Sequence, residues 1–569
     1  MTTDVITEEV IRARIDGIMR EMQAAVMRTG FSTIIRESHD FSAGITDKKG
    51  ATVGQHAALL QHRGAYPDCV RGVLEFYSID EMRDGDCFLA SHPYYSGSPH
   101  PNDMVVVSPV VYEDEVVAFC SSMGHKSDIG GQSPGSRNAS ARDIFGEGLI
   151  IAPVLFQRER EPIPEVTQFL IANSRTPDLV IGDLNAQAGA MYSIGAKRIK
   201  ELMATFGKAV VLDAFEKTAY RTETRVKGAI SQWCDGIFEA EGFVDDIVNR
   251  NKPVKIHVAV QKKKDRVVID FSGSDDQSPG PINVRPPFIH GMAHFALIAM
   301  IDPTIPGNSG VESSIEWVFR EGSIVNPTFP APTGFYSMTI PVVEDVLFEA
   351  ISQLAGKPIV AHNAPPSMVV FGSTALNKGR KYVQYELLRS GNGAYEGGDG
   401  WTGTAHSASG GSKFTSIEII ESEFNIEVTK FRIIPDSGGA GLYRGGNGLL
   451  REYRVHEESR YAGGNPRNLL PPQGVAGGYS GTAGGVVINP GTTGEETYTG
   501  LISNVLVREG DIVQALTSGA GGVGDPKLRP QNAVINDLRN GYITDTTAIN
   551  TYGLDPEIAN EVTNIDGKR

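Results

Sequence analysis

Two histidines and an aspartate, His100, Asp103 and His125, lie close together in the chain. Imidazole nitrogens and carboxylate oxygens are common ligands of Zn²⁺, Mn²⁺ and Fe²⁺ in proteins. A divalent cation bound by such groups acts as a Lewis acid and lowers the pKa of a water molecule that it binds. The three residue types therefore predict a metal site, provided that the fold brings their side chains to one point.

The segments between these residues predict a β-hairpin. Apolar, β-branched runs at residues 104–111 and 115–123 flank a short acidic turn. The midpoint between Asp103 and His125 lies inside that turn, so antiparallel pairing places the two residues opposite each other at the open end. Opposed residues have Cα atoms about 4.5–5.5 Å apart. His100 lies on the segment that enters the hairpin and can reach the same point.

Asp40 is a further candidate ligand. It follows His39 in a strand-like run that leads into a turn at residues 47–50. An acid in this place can bind a metal, but it can also accept hydrogen bonds from nearby backbone amides, which is the commoner role. The spacing alone leaves both alternatives open.

The helical pattern of residues 286–301 contains a second pair of histidines, His290 and His294, at positions i and i+4. This spacing can bind a metal on one face of a helix. The alternative is one packed and one solvated histidine. Without a nearby acid to complete a metal site, one packed and one solvated histidine is the more common arrangement.

Composition narrows the class of protein. The chain has 569 residues, too many for one hydrophobic core, and domain-size statistics suggest roughly three domains. Its net charge of −16 argues against a nucleic-acid partner. We find no apolar run long enough to cross a membrane and no signal-peptide pattern. The four cysteines are widely separated, which suits a reducing compartment and predicts a cytoplasmic protein.

The sequence predicts a mixed α+β fold with several domains. We expect a metal-binding α/β region at residues 1–232, a central α/β region at 233–415 and a β-dominated region at 416–569. Most of the 65 glycines follow residue 270 and separate short strand-like runs, which predicts strands and tight turns to the end of the chain. An apolar stripe predicts an amphipathic helix over residues 7–29, with Thr7 as its N-cap.

Taken together, short motifs along most of the chain resemble the hydantoinase B/oxoprolinase family. That family comprises the β-type components of ATP-dependent lactam and hydantoin hydrolases and is related to acetone and acetophenone carboxylase subunits. No single motif is decisive, but their number and order make the resemblance strong. The matching segments are residues 36–42, 85–89, 100–103, 125–131, 134–136, 147–149, 173–177, 182–187, 270–275, 438–446 and 524–526.

The resemblance implies a metal site formed by an acid, a His-x-x-Asp pair and a later histidine. In this sequence those positions are Asp40, His100, Asp103 and His125. Zinc is the metal most expected, with manganese or iron as alternatives. The family's usual His-Leu-Pro-Asp is here His-Pro-Asn-Asp, and its preceding Asn-Asp-Pro-Tyr is here Ser-His-Pro-Tyr, which introduces His92.

His92 and Asp128 are candidates for proton transfer or for supporting the ligands. They lie in two loops, at residues 91–99 and 126–136, that are rich in proline, glycine and polar residues. Loops of this length and polarity are more typical of functional sites than of simple connections. The alternative is that both residues serve loop structure alone.

The resemblance implies a metal-dependent hydrolytic subunit that opens a lactam, hydantoin or 5-oxoproline-like ring. A hydantoinase A-type partner would bind ATP and phosphorylate the ring amide, in a hetero-oligomer such as α2β2. The chain has no P-loop motif, which agrees with ATP being bound by the partner.

Two alternatives remain open. One is a subunit of an ATP-dependent acetone- or acetophenone-type carboxylase, in which the metal stabilises an enolate. The other is a non-catalytic scaffold with a structural metal, which would have all its coordination positions filled by protein ligands.

Overall fold

The computed structural model describes residues 4–55, 59–248, 252–374, 381–404 and 406–566. Helices and several β-sheets are both abundant, which confirms the predicted mixed α+β, multi-domain class. Among the described helices, none combines the length and the apolar character needed to cross a lipid bilayer.

The helices span a wide range of lengths. They are α1 (Val5–Thr29), α2 (Thr33–Arg36), α3 (Tyr66–Phe76), α4 (Pro164–Ala172), α5 (Pro177–Ala190), α6 (Lys197–Phe206), α7 (Lys208–Ile230), α8 (Pro286–Ile301), α9 (Ser309–Glu312), α10 (Tyr336–Ala355), α11 (Ile417–Glu423), α12 (Gln531–Arg539), α13 (Asp545–Asn550) and α14 (Pro556–Asp566). The predicted helix at residues 286–301 is therefore confirmed as α8.

The strands are β1 (Phe41–Asp47), β2 (Thr52–Gln55), β3 (Cys87–Ala90), β4 (Asp103–Tyr112), β5 (Glu115–His125), β6 (Val154–Arg158), β7 (Glu161–Pro162), β8 (Ile237–Asp245), β9 (Pro253–Lys263), β10 (Arg266–Asp270), β11 (Ile315–Val318), β12 (Ser367–Ser373), β13 (Val383–Leu388), β14 (Ile426–Ile433), β15 (Leu449–Val455), β16 (Ser459–Gly464), β17 (Gly485–Ile488), β18 (Glu496–Tyr498), β19 (Leu501–Val507) and β20 (Ile512–Leu516). Within the described residues they form sheets of order β2-β1-β5-β4-β3-β6-β7, β11-β10-β9-β8, β13-β12-β16-β19 and β14-β15-β20-β17-β18.

The predicted hairpin is formed by β4 and β5, near the middle of the N-terminal sheet. Asp103 pairs directly with His125, so the predicted register is confirmed. Glu113 and Asp114 in the turn have φ angles of 52° and 59°. Positive φ at both central residues is typical of the type I′ turn that matches the twist of antiparallel strands.

The hairpin is buried on both faces, which explains why its strands are continuously apolar rather than alternating. Val105 and Val107 on β4 belong to a core shared with α8, α10 and the second sheet. Met104 and Val106 belong to a separate core shared with α1 and α5. Because side chains alternate between the faces of a strand, Asp103 points to the same side as Val105.

The predicted cap of the first helix was wrong by one turn. The helix begins at Val5, and its N-cap is Asp4, whose carboxylate accepts hydrogen bonds from the backbone N–H groups of Ile6 and Thr7. Asp is as good a cap as Thr, and the acid lies before the apolar stripe begins.

The end of the chain differs from the prediction of strands and turns throughout. Helices α12, α13 and α14 follow the last strand and form a small core of their own, which includes Val534, Leu538, Ala548 and Val562. The spacing of Val534 and Leu538 is helical. The predicted boundary at residue 415 stays a prediction, although one sheet pairs β12 with β16 across it.

A buried ion pair joins the two C-terminal sheets. Arg451 Nη1 on β15 lies 2.6 Å from Glu386 Oε1 on β13, and both side chains are almost fully buried. The hydroxyl of Tyr453 donates a hydrogen bond to the other carboxylate oxygen at 3.1 Å.

We expect Arg451→Met to destabilise the chain strongly, because it leaves the Glu386 carboxylate buried without a cation. Losing one partner of such a pair costs about 3–5 kcal/mol. The melting temperature should fall clearly, and the double variant Arg451→Met/Glu386→Gln should recover part of the loss. Arg454→Met is the matched control, because this arginine on the same strand has a side chain that is 51% exposed. Equal melting temperatures for Arg451→Met and the control would contradict the assigned role.

Candidate metal centre

His100, Asp103 and His125 converge at the open end of the hairpin. Their ligand atoms all lie within 4.8 Å of one another, and all three side chains are buried. His125 Nδ1 lies 2.9 Å from Asp103 Oδ1, and His100 Nε2 lies 3.2 Å from the same oxygen. The strand pairing supplies Asp103 and His125, and the turn before β4 supplies His100.

Unpartnered nitrogens surround this point. Among the described residues, the Nε2 atoms of His62, His100 and His125 are buried and have no hydrogen-bond partner. A buried polar atom left without a partner typically costs about 1–3 kcal/mol. A divalent cation would accept these lone pairs, and a set of imidazoles with a carboxylate fits Zn²⁺, Mn²⁺ or Fe²⁺. The residues present therefore fit the predicted metal.

His62 is the member of this group that the sequence analysis missed. It lies in the short 3₁₀ turn Leu60–His62, its Nδ1 is 2.7 Å from Ser42 Oγ, and its Nε2 is 3.9 Å from Asp103 Oδ2. Burial lowers the pKa of His62 to about 4, so it is neutral and able to accept a proton or a metal. No histidine or acid lies three or four positions away in the sequence, so only the tertiary structure reveals it.

Both carboxylate oxygens of Asp103 contact other side chains of the centre. Its second oxygen accepts a hydrogen bond from the Tyr336 hydroxyl at 3.1 Å, and that hydroxyl accepts one from Gln61 Nε2 at 3.2 Å. Burial raises the pKa of the Asp103 carboxyl, but His100 and His125 outweigh burial and lower it well below its usual range. Asp103 is therefore a carboxylate at neutral pH.

Neighbouring groups hold the two imidazole rings in place. His100 Nδ1 lies 3.0 Å from the carbonyl oxygen of Gly334 and 3.1 Å from Arg137 Nη1, so either tautomer of His100 has a partner at this nitrogen. The ring of His125 presents Nδ1 to Asp103 and stacks on Tyr385 with a centroid distance of 4.5 Å. The orientations of both rings are therefore set by contacts on more than one side.

Asp40 lies near the group but outside its closest set. The backbone N–H of His125 donates to the Asp40 carbonyl at 3.1 Å, and His39 before it has a φ of 54°. Burial raises the pKa of the Asp40 carboxyl, His125 lowers it and Asp103 raises it, so the carboxyl is within electrostatic reach of both. Its role as a ligand stays a prediction.

Two buried arginines add positive charge beside these acids. Arg137 Nη1 donates to the Gly334 carbonyl at 2.6 Å, while its Nη2 has no partner among the described residues. Nε and Nη1 of Arg389 are likewise buried and unpartnered there. Both guanidinium groups lower the pKa of Asp40 through charge, so they contribute positive potential at this acid.

The two predicted proton-transfer residues have contacts of their own. Asp128 accepts hydrogen bonds from the backbone N–H groups of Gly130, Gly135 and Arg175 and pairs with the Arg175 guanidinium at 3.0 Å. These bonds organise the loop, which is the structural alternative for this residue. A part for Asp128 in proton transfer stays a prediction.

His92 lies in an aromatic cluster. Its ring stacks on Tyr95 at a centroid distance of 4.0 Å and on Phe329 at 5.7 Å, and its Nδ1 accepts a hydrogen bond from the backbone of Tyr94. Burial lowers its pKa to about 4. His92 is not a member of the group of possible ligands found among the described residues, and its catalytic role also stays a prediction.

Comparison with known proteins identifies the family and the fold of the chain. The sequence profile of the family Hydantoinase B/oxoprolinase matches residues 4–526. The chain belongs to this family. An uncharacterised protein of Methanocaldococcus jannaschii is 30% identical over 558 residues, which cover 96% of each chain. The caprolactamase subunit beta of Pseudomonas jessenii is 27% identical over 565 residues, which cover 97% of this chain and 96% of that one.

The crystal structure of the ATP-dependent caprolactamase from Pseudomonas jessenii superposes on this hydantoinase B family member with a TM-score of 0.90 and 25% identity. The match covers 100% of both chains. The structural similarity therefore extends over the whole multi-domain architecture and is not limited to one region.

In this hydantoinase B family member, Glu147 supports the centre from behind Gly334. Its carboxylate accepts a hydrogen bond from the Gly334 N–H at 2.5 Å, and its other oxygen is buried without a partner among the described residues. Burial raises the pKa of Glu147 to about 8. The same glycine offers its carbonyl to His100, so Glu147 helps to set the position of that ring.

We expect His125→Ala to lower the bound divalent metal at least about tenfold, because it removes a predicted ligand. Metal content of the purified chain is measured by plasma mass spectrometry. His456→Ala is the matched control, because the His456 side chain is 52% exposed and pairs only with Glu427. Equal metal content in both variants would contradict the assignment.

We expect Glu147→Gln to become more stabilising, relative to the native chain, as the pH rises from 5 to 8. The unfolded chain loses the Glu147 proton near its ordinary pKa of about 4.3, whereas the folded chain keeps it up to about pH 8. Native stability therefore falls across this window, and glutamine removes that loss. Melting temperatures at several pH values test this. Glu75→Gln, on an exposed side chain, is the control. If the melting temperatures of Glu147→Gln and the native chain change in parallel with pH, the prediction is wrong.

Proposed function

We propose that this chain is the metal-dependent hydrolytic subunit of an ATP-dependent cyclic amide hydrolase. Its substrate would be a lactam, a hydantoin or a 5-oxoproline-like ring. The observation that carries the proposal is the buried cluster of His62, His100, Asp103 and His125. The Nε2 atoms of His62 and His125 have no hydrogen-bond partner among the described residues, and His100 Nε2 lies 3.2 Å from the Asp103 carboxylate.

The proposal includes a partner because an unstrained amide is a poor electrophile. Phosphorylation of the amide oxygen would convert it into a good leaving group, and this chain has no P-loop motif. A relative along almost the whole chain is named as a caprolactamase subunit beta, and the matching crystal structure is named as an ATP-dependent caprolactamase. We therefore propose a hetero-oligomer with a hydantoinase A-type ATP-binding subunit, such as α2β2.

The predicted metal would be held by His100, Asp103 and His125, with Asp40 as the proposed fourth ligand. When bound, a divalent ion such as Zn²⁺ supplies Lewis acidity and makes water more acidic. We propose His62 as a further imidazole beside the bound ion. Its buried Nε2 lies 3.9 Å from Asp103 Oδ2 and has no hydrogen-bond partner among the described residues.

The buried arginines would receive the phosphate of the activated substrate. Among the described residues, Nη2 of Arg137 and Nε and Nη1 of Arg389 have no hydrogen-bond partner, and both side chains act electrostatically on Asp40. Charge-assisted hydrogen bonds from arginine to phosphate are strong, particularly where water is excluded. These donors would hold the leaving phosphate while Tyr336 and Gln61 keep the Asp103 carboxylate in place.

We expect the chain, co-purified with its ATP-binding partner and metal, to open a ring among caprolactam, hydantoin and 5-oxoproline while releasing ADP. Arg389→Met should lower turnover at least about tenfold, because one charge-assisted bond to phosphate is lost. Arg454→Met is the control on an exposed arginine. Ring opening is followed by chromatography and ADP by a coupled assay.

Different outcomes separate the alternatives. ADP release that requires bicarbonate and a ketone, such as acetone or acetophenone, would favour the carboxylase subunit instead. If the complex opens no ring and carboxylates no ketone, while His125→Ala lowers only the melting temperature, the metal is structural and the proposal fails.

A further inference from the structure

A second cavity lies away from the metal centre. It has a volume of about 430 Å³ and lies between the turn before β2, the segment after His62, α8 and the start of α9. None of His100, Asp103, His125 and Asp40 lines it. The charged and titratable side chains that line it are Lys49, Arg63, Arg71, His290, His294 and Glu312.

Arg63 is the unusual residue of this cavity. Among the described residues its guanidinium has no ion-pair partner, and its Nε is buried with no hydrogen-bond acceptor. The group packs against the backbone of Gly307, where an added Cβ would lie 3.1 Å from Arg63 Cζ. Burial lowers the pKa of Arg63 to about 10, so it remains charged at neutral pH. A largely buried cation without an anion is unfavourable, and a bound anion would compensate it.

The other charges of the cavity leave a positive excess. Lys49 is exposed and has no ion pair among the described residues, and Arg71 pairs with Asp68. Glu312 is the acid that lines the cavity, and it is already bound to His294 and Trp317. This excess occurs in a chain whose net charge is −16, so it is a local feature.

The two histidines of α8 do not form a metal site with this acid in the described structure. His290 stacks on Trp317 at a centroid distance of 4.2 Å, and burial lowers its pKa to about 4. The group of possible metal ligands found among the described residues does not include His290 or His294. Both histidines contact Glu312, so they belong to the side of the cavity on which this acid is already paired.

We propose that this cavity binds a dianionic phosphate, either free or carried by a small molecule. Two cations without partners, Lys49 and Arg63, match a dianion, and arginine binds phosphate through paired N–H donors. Hydroxyl groups of Thr52, Ser309 and Ser313 also line the cavity and can donate hydrogen bonds. Its volume exceeds that of phosphate and lies in the range of about 300–1,000 Å³ typical of small-molecule sites. The inference does not rest on the proposed function.

The test uses isothermal titration calorimetry on the full chain in a phosphate-free buffer, with inorganic phosphate and glycerol 3-phosphate as probes. Both should bind, and acetate, which carries a single charge, should bind more weakly or not at all. Arg63→Met should weaken binding about tenfold or more, since it removes a charged donor. Lys49→Ala should weaken it to a smaller extent, and Arg14→Met, on an exposed arginine of α1, should leave it unchanged.

Several results would overturn the proposal. One is the absence of saturable binding of both probes. Another is unchanged binding in both Arg63→Met and Lys49→Ala. A third is binding that is lost in His125→Ala but kept in Arg63→Met, because this result would assign the phosphate to the metal centre. If Arg63→Met fails to fold, Lys49→Ala decides, because that side chain is on the surface. Binding of phosphate alone identifies the free anion as ligand, and binding of both probes identifies a phosphate monoester site.

Discussion

The direct pairing of Asp103 with His125 is the constraint on which the centre depends. One Asp103 oxygen lies beside both His100 and His125, and the other reaches Tyr336 and approaches His62. A shift of the strands by one residue would send alternate side chains to the opposite face. The type I′ turn and the two apolar faces of the hairpin hold this register, so the position of the carboxylate follows from strand pairing rather than from a flexible loop.

Burial on both faces gives the centre its electrostatic character. The hairpin lies between two hydrophobic cores, and the side chains of His100, Asp103 and His125 at its open end are buried. In such surroundings desolvation is the largest influence on the pKa values of His62, Asp40 and Glu147. The same low dielectric makes unpartnered nitrogens costly and makes a bound cation or anion strongly held. The protein therefore concentrates buried polar groups that lack hydrogen-bond partners among the described residues.

Two kinds of unsatisfied group are segregated in the fold. At the end of the hairpin, the Nε2 atoms of His62 and His125 are buried without a hydrogen-bond partner among the described residues, beside the Asp103 carboxylate, which favours a cation. At the cavity beside α8, the buried Nε of Arg63 has no acceptor among the described residues, which favours an anion. His62 and Arg63 are consecutive residues, so one short turn directs its side chains to both places.

Local sequence determined the hairpin, its register and the convergence of His100, Asp103 and His125, because alternation, β-branched runs and an acidic turn act over a few residues. It also determined helix α8 and the mixed α+β class. Only the tertiary structure added His62, Tyr336, Arg137 and Arg389, which come from distant segments brought together by packing of the sheets and helices. The C-terminal helices were missed because frequent glycines suggested turns, whereas apolar residues at helical spacing there bury a small separate core. Short-range pattern fixes elements and register, and the long-range meeting of buried polar groups depends on how those elements pack.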